Sequence, residues 1–338
     1  MSTTGPTQGP GGGPARARGD PTAFGAPIRR IIRDRILARA GIEPVSLPVS
    51  ALDVGGRRRT YSVVPAPGPG PAPLLVVLHG AGGTGPGMAA LTGLADRAPA
   101  AGFAVAFPDG WSHVWNDDRG APWLERRKGI DDVGFVGTMV ARLVAEGVAL
   151  GDKVVLVGMS NGAFLAEHVA RNALLPLAGI VLVAGSASAA SHRLRPTPAG
   201  GVQVVAFHGT ADPLVPYGGG PIGMLGRLAQ RRAVRDPRFA GRGTAVGIEA
   251  VAREWAAANG CPPEPEVERL ATPADDLRLV QLTWRSPGRP SVTLFRIEGG
   301  GHTWPGGGQY LPARVVGARS KSLDASNVLL DAFAPLRG

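Results

Sequence analysis

Short apolar runs alternate with amphipathic segments along most of the chain. The apolar runs have the length and composition of strands that are buried on both faces of a sheet: LLVVLHG, FAVAFPDG, KVVLVGMSNG, LAGIVLVAG, VQVVAFHGTAD and SVTLFRIEGGGH. The segments between them carry apolar residues at helical spacing: MAALTGLADRAPAAG, DDVGFVGTMVARLVAEG, FLAEHVARNA, IEAVAREWAAANG and ASNVLLDAFAPL. Because strand and helix alternate from residue 73 to residue 338, the pattern predicts an α/β fold with a doubly wound, mostly parallel sheet.

The part of the chain before this alternation has a different pattern. Residues 1 to about 26 are mostly Gly, Pro and Ala, which predicts a flexible tail. In IRRIIRDRILARAG, isoleucines at helical spacing lie opposite arginines and predict a basic amphipathic helix. SLPVSALDVGGRRRTYSVVPA predicts an antiparallel hairpin of two strands around a turn with two glycines. We therefore divide the chain into residues 1–44, the tail and the basic helix, and residues 45–338, a single α/β domain.

Basic residues outnumber acidic ones, 36 to 26, and two segments are rich in arginine. The helix over residues 28–41 is expected to dock on the body of the protein, with a membrane surface or a partner as the alternative. Residues 227–243, RLAQRRAVRDPRFAGRG, interrupt the alternation and predict an exposed insertion near the functional edge of the sheet. No zinc-finger, helix-turn-helix or RNP pattern accompanies the charge, so we expect no nucleic-acid partner.

Several classes of protein do not fit this composition. The single cysteine, Cys261, can form neither an internal disulfide nor a cysteine metal cage. The first residues carry no apolar run of signal-peptide length and no apolar stretch reaches about 18 residues, so a cytoplasmic location is the default expectation. Phosphate-binding glycine loops and ligand spacings typical of metal sites are also absent from the sequence. We therefore expect no cofactor and no metal.

One five-residue motif has the pattern of a nucleophile elbow, in which a serine occupies a strained turn between a strand and a helix. It is Gly158-Met159-Ser160-Asn161-Gly162. Because 51 of the 338 residues are glycine, the motif by itself is weak support. It lies, however, between a predicted buried strand and a predicted helix, as this type of turn requires. The sequence therefore predicts Ser160 to be a nucleophile.

A serine hydroxyl needs a base that takes its proton and an acid that orients the base. His302 follows the last predicted strand and three glycines that let the loop turn back over the sheet. Asp212 follows the strand VQVVAFHG and lies between the serine and the histidine in the sequence. This order predicts Ser160 as nucleophile, His302 as general base and Asp212 as orienting acid. Asp109 also ends a strand, but it precedes the serine and would break the order.

The negative oxygen that forms when a serine attacks a carbonyl needs backbone amides as hydrogen-bond donors. The amide of Asn161, directly after the serine, is one candidate. The loop HGAGG follows the strand LLVVL, and it is placed to supply the second donor through Ala81, with Gly80 as a further candidate. These amides form the predicted oxyanion hole.

Three further residues are candidates for contact with a substrate. Trp304 follows His302 closely and could form the wall of a pocket, or it could only pack in the core. His79 ends a strand next to the predicted site, where it contacts substrate or braces its loop through hydrogen bonds. Asp109 is expected at the same edge of the sheet, where it could border the pocket.

Six motifs occur in a fixed order: LLVVLHGAGGTG, DDVGFV, VVLVGMSNGAF, FHGTADPLVPYGGG, EWAAANGC and GGGHTWPGG. Over roughly residues 50–338 they resemble the polyhydroxybutyrate depolymerase-like esterases, a family related to feruloyl and acetylxylan esterases. The resemblance implies an α/β-hydrolase fold and the hydrolysis of carboxylic esters through an acyl-enzyme. It also implies that Ser160, Asp212 and His302 form the triad and that Asn161 and Ala81 donate to the oxyanion.

The chain departs from the resembling proteins in ways that affect its expected substrate. The stretch Val114–Trp123 lacks the paired cysteines of many members, which are often secreted, and no separate substrate-binding domain is visible. The expected substrates are therefore small or oligomeric esters, such as hydroxyalkanoate oligomers or related short esters. A feruloyl or acetylxylan type of esterase and a serine peptidase of the same fold are alternatives. From a different class, a non-catalytic binding protein on this fold also remains open.

Overall fold

The computed structural model describes Ile42 and residues 45–119, 129–190, 201–223 and 243–337. The predicted tail and basic helix, including residues 28–41, lie outside the described residues apart from Ile42. The same holds for residues 227–242 of the predicted arginine-rich insertion. The division of the chain at residue 44 therefore stays a prediction.

A mixed sheet forms the centre of the described structure. The described strands are β1 Ser50–Val54, β2 Arg57–Val64, β3 Ala72–Leu78, β4 Ala104–Pro108, β5 Ala149–Met159, β6 Gly179–Val183, β7 Gln203–Gly209, β8 Gly219–Pro221, β9 Thr244–Val246, β10 Glu266–Leu270, β11 Arg278–Trp284 and β12 Val292–Glu298. Strands β8 and β9 form a small sheet of their own, and the other strands form the large sheet. In the large sheet the spatial order is β1-β2-β4-β3-β5-β6-β7-β12-β11-β10. Within the run β4-β3-β5-β6-β7-β12, every pair of adjacent strands is parallel, as the apolar pattern predicts.

Helices cover both faces of this sheet. They are α1 Gly85–Thr92, α2 Leu94–Ala100, α3 Asp132–Ala145, α4 Asn161–Arg171, α5 Ile248–Ala258, α6 Ala313–Val316 and α7 Ala325–Ala332. Alternate residues of a strand point to opposite faces. In β3, Leu74 and Val76 belong to the core layer that holds residues of α3, α4 and α5, whereas Leu75 and Val77 belong to the layer of α1, α2 and α7. The sheet is therefore doubly wound, and the α/β-hydrolase fold predicted from the sequence is confirmed.

The N-terminal hairpin is also confirmed. Strands β1 and β2 pair in antiparallel register, with Val54 opposite Arg57 across the two-residue turn. Gly55 and Gly56 have φ values of 57° and 70° in this turn. Two consecutive positive φ angles are typical of the turns that match the twist of a tight hairpin, and glycine adopts them without a steric cost.

Four strands are present where the sequence pattern predicted none: the small pair of β8 and β9, and the strands β10 and β11. After α5 the chain forms β10, β11 and β12 in succession, and these pair in antiparallel register with one another. The alternation of strand and helix therefore stops before the end of the chain. The first of these strands, EVERL, has four exposed residues and carries charges, so its pattern differs from that of a buried strand.

Among the described residues, no helix has the length and apolar character that crossing a membrane requires.

Candidate active site

Ser160 occupies the one position between the end of β5 and the start of α4. Its backbone has φ 53° and ψ −117°, a conformation that a residue with a side chain rarely adopts. Its amide donates to the carbonyl of Val183 at the end of β6, at 2.9 Å. Strand, turn and helix thus hold Ser160 in a strained turn above the sheet edge, as the nucleophile-elbow motif predicts.

The two glycines of the motif are required by close contacts of the backbone. A Cβ atom at Gly158 would lie 2.3 Å from the carbonyl oxygen of Gly162. A Cβ atom at Gly162 would lie 2.4 Å from the carbonyl oxygen of Leu78, the last residue of β3. The start of α4 therefore packs directly on two strand ends, and only glycine permits this distance.

His302 and Asp212 form a buried pair. His302 Nδ1 lies 2.7 Å from Asp212 Oδ2, and the two residues expose only 2% and 7% of their surface. The other oxygen of the acid, Oδ1, accepts the amides of Leu214 and Val215 at 2.8 and 2.9 Å. Burial alone would raise the pKa of Asp212, but the attraction and hydrogen bond of His302, together with the hydrogen bond from the amide of Val215, hold that pKa below its ordinary value. The acid is therefore ionised at neutral pH and fixes the proton of the imidazole on Nδ1.

The loop of His302 is held by backbone bonds to the segment that follows it. The amide of His302 donates to the carbonyl of Val316, and Gly301 donates to Ala318 at 2.8 Å. The hydroxyl of Tyr310 donates to the carbonyl of His302 at 2.8 Å. Burial raises the pKa of Tyr310, so this hydroxyl keeps its proton as a donor. Together these bonds fix the backbone of His302 and thereby the position of its imidazole.

A second histidine contacts the acid. His208 Nε2 donates to the carbonyl of Val215 at 2.9 Å and lies 3.7 Å from Asp212 Oδ2. Burial is the main cause that lowers the pKa of His208, so its ring is neutral at physiological pH. The bond to Val215 lets His208 brace the loop that follows Asp212.

The three predicted triad residues follow β5, β7 and β12 in turn. Because β5, β6, β7 and β12 are parallel neighbours, Ser160, Asp212 and His302 lie at one edge of the sheet. Among the hydrogen bonds of the described residues, the bond between His302 and Asp212 joins two of the three, and Ser160 Oγ bonds to neither. Hydrogen bonds to a catalytic serine are often long in proteins without bound substrate.

The predicted oxyanion residues lie next to Ser160. A Cβ atom at Gly80 would lie 3.3 Å from the Cβ of Ser160, so the loop with Gly80 and Ala81 passes directly beside the serine. Asn161 is the first residue of α4, where backbone amides and the helix dipole favour negative charge. The amide of Gly83 donates to the carbonyl of Gly80 at 2.9 Å and closes the loop into a turn. The structure therefore brings the predicted donors close to the predicted nucleophile.

The three residues predicted to contact substrate have other partners. His79 is fully buried, and its two ring nitrogens bond to Gly80 and Gly110. Asp109 accepts the amide of Gly85 at 2.8 Å and the hydroxyl of Thr60 at 3.0 Å.

Trp304 is also buried, with 1% of its surface exposed. Its Nε1 donates to Ser326 Oγ, and its ring lies in the core layer that holds residues of α1, α2 and α7. These contacts support the alternative given for His79 and Trp304, bracing and packing. For all three residues, including Asp109, contact with a substrate stays a prediction.

Two positions near the site received no role from the sequence. Tyr310 is one, because a single tyrosine in a glycine-rich loop carries no pattern. Asp117 is the other; it is buried, pairs with Arg119 and accepts a hydrogen bond from the side chain of Asn161. The sequence did contain one signal for Asp117, because an acid and an arginine stand two positions apart close to Trp115. Buried charges in proteins are found in pairs, so such a pair can mark a buried acid.

Known proteins resemble this chain in sequence and in structure. Residues 59–221 match a family model described as "Phospholipase/Carboxylesterase". A protein of Nocardia uniformis subsp. tsuyamanensis with the name "Putative esterase NocK" is 32% identical over 292 residues, which cover 82% of this chain and 80% of that protein.

Among solved structures, the acetyl xylan esterase from Aspergillus awamori has a TM-score of 0.51 and 16% identity, and the match covers 76% of this chain and 94% of that one. At this identity the similarity shows the fold alone. A thermostable esterase has a TM-score of 0.43 at 16% identity, with 63% of this chain and 52% of that chain covered. That lower score supports no further conclusion.

Proposed function

Because this chain belongs to the esterases of the α/β-hydrolase fold, we propose that it hydrolyses carboxylic esters through an acyl-enzyme on Ser160. The observation that carries this proposal is the combination of a strained serine at the end of β5 with a bonded histidine and acid at the same edge. An esterase family implies small-molecule ester substrates.

In the first half of the proposed reaction, Ser160 Oγ attacks the ester carbonyl while His302 Nε2 takes the serine proton. Asp212 stabilises the imidazolium that forms and keeps Nδ1 protonated. The negative oxygen of the tetrahedral intermediate accepts hydrogen bonds from the amides of Asn161 and Ala81, with Gly80 as a further candidate. His302 then donates its proton to the leaving alcohol, and the acyl group stays on Ser160.

In the second half, water attacks the acyl-enzyme. His302 takes a proton from this water, and the same amides stabilise the second tetrahedral intermediate. The acid product leaves when the proton returns to Ser160 Oγ. The reaction has no redox step. Each bond change and proton transfer uses only the substrate, groups of the chain and water.

For the substrate we propose hydroxyalkanoate oligomers or related short esters. The support is the order of motifs around Ser160, Asp212 and His302, which resembles the polyhydroxybutyrate depolymerase-like esterases. The family's feruloyl and acetylxylan relatives give the alternative, and an acetyl xylan esterase shares the fold. We also propose residues 45–338 as the catalytic domain.

The test is hydrolysis of a panel of p-nitrophenyl and methyl esters that includes 3-hydroxybutyrate oligomers and methyl ferulate. We expect the wild type to be active and Ser160→Ala to lose at least about 10³-fold in kcat. Ser62→Ala is the control for loss of a serine hydroxyl elsewhere in the chain, because Ser62 is buried in β2, away from the proposed site. A folded wild type that hydrolyses no ester, or a Ser160→Ala variant with unchanged activity, would contradict the proposal.

A further inference from the structure

The loop of residues 110–119, which follows β4, has an unusual backbone. Ser112, His113 and Asp118 have φ values of 53°, 62° and 51°, although none of them is glycine. Each such conformation is strained for a residue with a side chain and persists only where surrounding contacts hold it. This segment, loop 110–119, is held by contacts on two sides.

On one side, loop 110–119 bonds to the segment that contains Gly80 and Ala81. The amide of Gly82 donates to the carbonyl of His113 at 2.7 Å. The amide of Gly110 donates to Nε2 of His79 at 2.9 Å, and Trp115 Nε1 donates to the carbonyl of His79 at 2.8 Å. Three hydrogen bonds therefore fix this segment to loop 110–119.

On the other side, loop 110–119 bonds to the side chain of Asn161. Asn161 Oδ1 accepts the amide of Trp115 at 2.8 Å, and Nδ2 donates to the carbonyl of Trp115 at 3.1 Å. The same Nδ2 donates to Asp117 Oδ2 at 2.7 Å. Asn161 is 1% exposed, so its amide group is fully engaged with this loop.

Asp117 is the acidic group in these contacts. Its side chain is 0% exposed, and Arg119 Nε lies 2.9 Å from its Oδ2. The guanidinium of Arg119 in turn lies 4.5 Å from the ring centroid of Phe164 in α4. The acid is thus joined to α4 twice, through Asn161 and through Arg119 on Phe164.

We propose that Asp117 is a positioning residue that sets the distance between the two halves of the oxyanion hole. Loop 110–119 connects the segment of Ala81 to Asn161, and Asp117 joins that loop to the helix that begins at Asn161. Loss of its carboxylate would let the amides of Asn161 and Ala81 move apart. This inference rests on the proposed function, because it assigns those amides to the oxyanion.

Asp117→Asn keeps the size of the side chain but removes the charge that faces Arg119. Removal of one oxyanion donor costs about 10²–10³-fold in kcat, so its displacement is expected to cost about 10–100-fold. The KM should stay within about twofold, since the donors act mainly on the transition state.

A trifluoromethyl ketone gives a second readout of the oxyanion hole. Ser160 Oγ adds to its carbonyl carbon, the serine proton moves to His302, and the carbonyl oxygen becomes negative as in the reaction intermediate. We expect the affinity of Asp117→Asn for this inhibitor to fall by about the same factor as kcat/KM. A role in stability alone would leave both quantities unchanged below the unfolding temperature.

Glu167→Gln is the matched control for loss of a buried carboxylate. Glu167 is also 0% exposed and pairs with Arg171 at 2.5 Å, within the same helix as Asn161. We expect this variant to lower Tm but to keep kcat/KM and inhibitor affinity within about twofold of the wild type. Equal losses of activity in Glu167→Gln and Asp117→Asn would overturn the proposal.

Hydrogen exchange separates this inference from the proposed function. In Asp117→Asn, amides of loop 110–119 and of residues 160–165 should exchange faster, whereas in Glu167→Gln loop 110–119 should keep its wild-type rate. Unchanged exchange in Asp117→Asn overturns the inference even if the wild type hydrolyses no ester. If exchange is faster in Asp117→Asn while kcat/KM and inhibitor affinity stay at wild-type values, the inference is also overturned. The proposed function, which Ser160→Ala tests, is not affected by that result.

Discussion

His79 is completely buried, and each of its ring nitrogens has a partner with a fixed role. Nε2 accepts the amide of Gly110 at 2.9 Å, so the proton must be on Nδ1, which donates to the carbonyl of Gly80 at 2.8 Å. A second proton on Nε2 would face an amide hydrogen. Burial is the main cause that lowers the pKa of His79, from 6.5 to about 4. The neutral ring thus holds the loop beside the proposed nucleophile.

We expect stability to fall as the pH falls from 6.5 to about 4, the unfolded and folded pKa values of His79. In this interval the unfolded chain binds a proton at His79 and the folded protein does not. His79 makes its full contribution to the free energy of unfolding above pH 6.5, its pKa in the unfolded chain. The loss of this contribution at low pH is on the order of 3 kcal/mol. Free energies of unfolding from urea titrations at several pH values measure it.

The variant His79→Gln tests whether His79 causes this pH dependence of stability. Glutamine does not titrate, so the fall in stability between pH 6.5 and about 4 should be smaller than in the wild type. A residual dependence is expected from His208, because burial lowers its pKa as well. Identical pH dependence in both proteins would show that His79 is not the titrating group.

The turn between β5 and α4 depends on the sheet beneath it. The first turn of α4 packs on the end of β3 so closely that a Cβ atom at Gly162 would meet the carbonyl carbon of Leu78 at 2.7 Å and the carbonyl oxygen of His79 at 2.8 Å. Backbone atoms cannot rotate away as a side chain can. A larger residue must therefore move the helix or the strand.

We expect Gly162→Ala to destabilise the protein by about 3 kcal/mol or more and to lower kcat, because the helix that begins at Asn161 is displaced. Gly151→Ala is the control in the preceding strand β5, where a Cβ atom would make an ordinary contact with Val144 Cγ2 at 3.5 Å. Chemical denaturation and ester hydrolysis measure both effects. Equal stability of the two variants would mean that the backbone contact at Gly162 relaxes freely.

Elements with a strong pattern could be predicted from the sequence. Continuous apolar runs predicted β3 to β7, because strands covered on both faces need no polar residues. The segment MAALTGLADRAPAAG predicted a helix, but the structure divides it at Gly93, whose φ of 65° ends α1. Periodicity does not detect such a break, since the apolar residues continue across it.

Contacts between distant segments could not be predicted in this way. The order of residues along the chain indicated Ser160, Asp212 and His302, because strand ends meet at one edge of a parallel sheet. Sequence alone gave no indication that Asn161 bonds to Asp117 or that Tyr310 bonds to His302. These bonds depend on loop conformations, and loops with positive φ at non-glycine residues have no local pattern.

The large sheet at the centre of the described molecule has two antiparallel ends. β1 and β2 form one end, and β11 and β10 form the other. The outer strand β10 exposes Glu266, Glu268 and Arg269, and charges on an edge strand oppose pairing with another chain. The parallel strands between these ends carry the proposed site.

For the N-terminal region we expect two deletions to differ. Removal of residues 1–26, the predicted tail, should leave Tm and kcat/KM within error of the full chain. Removal of residues 1–44 also removes Ile42, which is 4% exposed and packs in the core layer of α1, α2 and α7. Loss of a buried isoleucine costs about 2–5 kcal/mol, so this deletion should lower Tm. Equal Tm values for both deletions would contradict this expectation.

The proposed site is assembled from segments that lie far apart in the chain. Asp212 and His302, which share one hydrogen bond, are separated by 90 positions, and the strands that carry Ala81 and Ser160 meet only when β3 pairs with β5. Contacts of this separation form late and slowly, because long stretches of chain must be ordered first. During refolding we therefore expect helical signal to recover before ester hydrolysis, because Ser160 becomes functional only when the proposed base and oxyanion donors have been brought beside it.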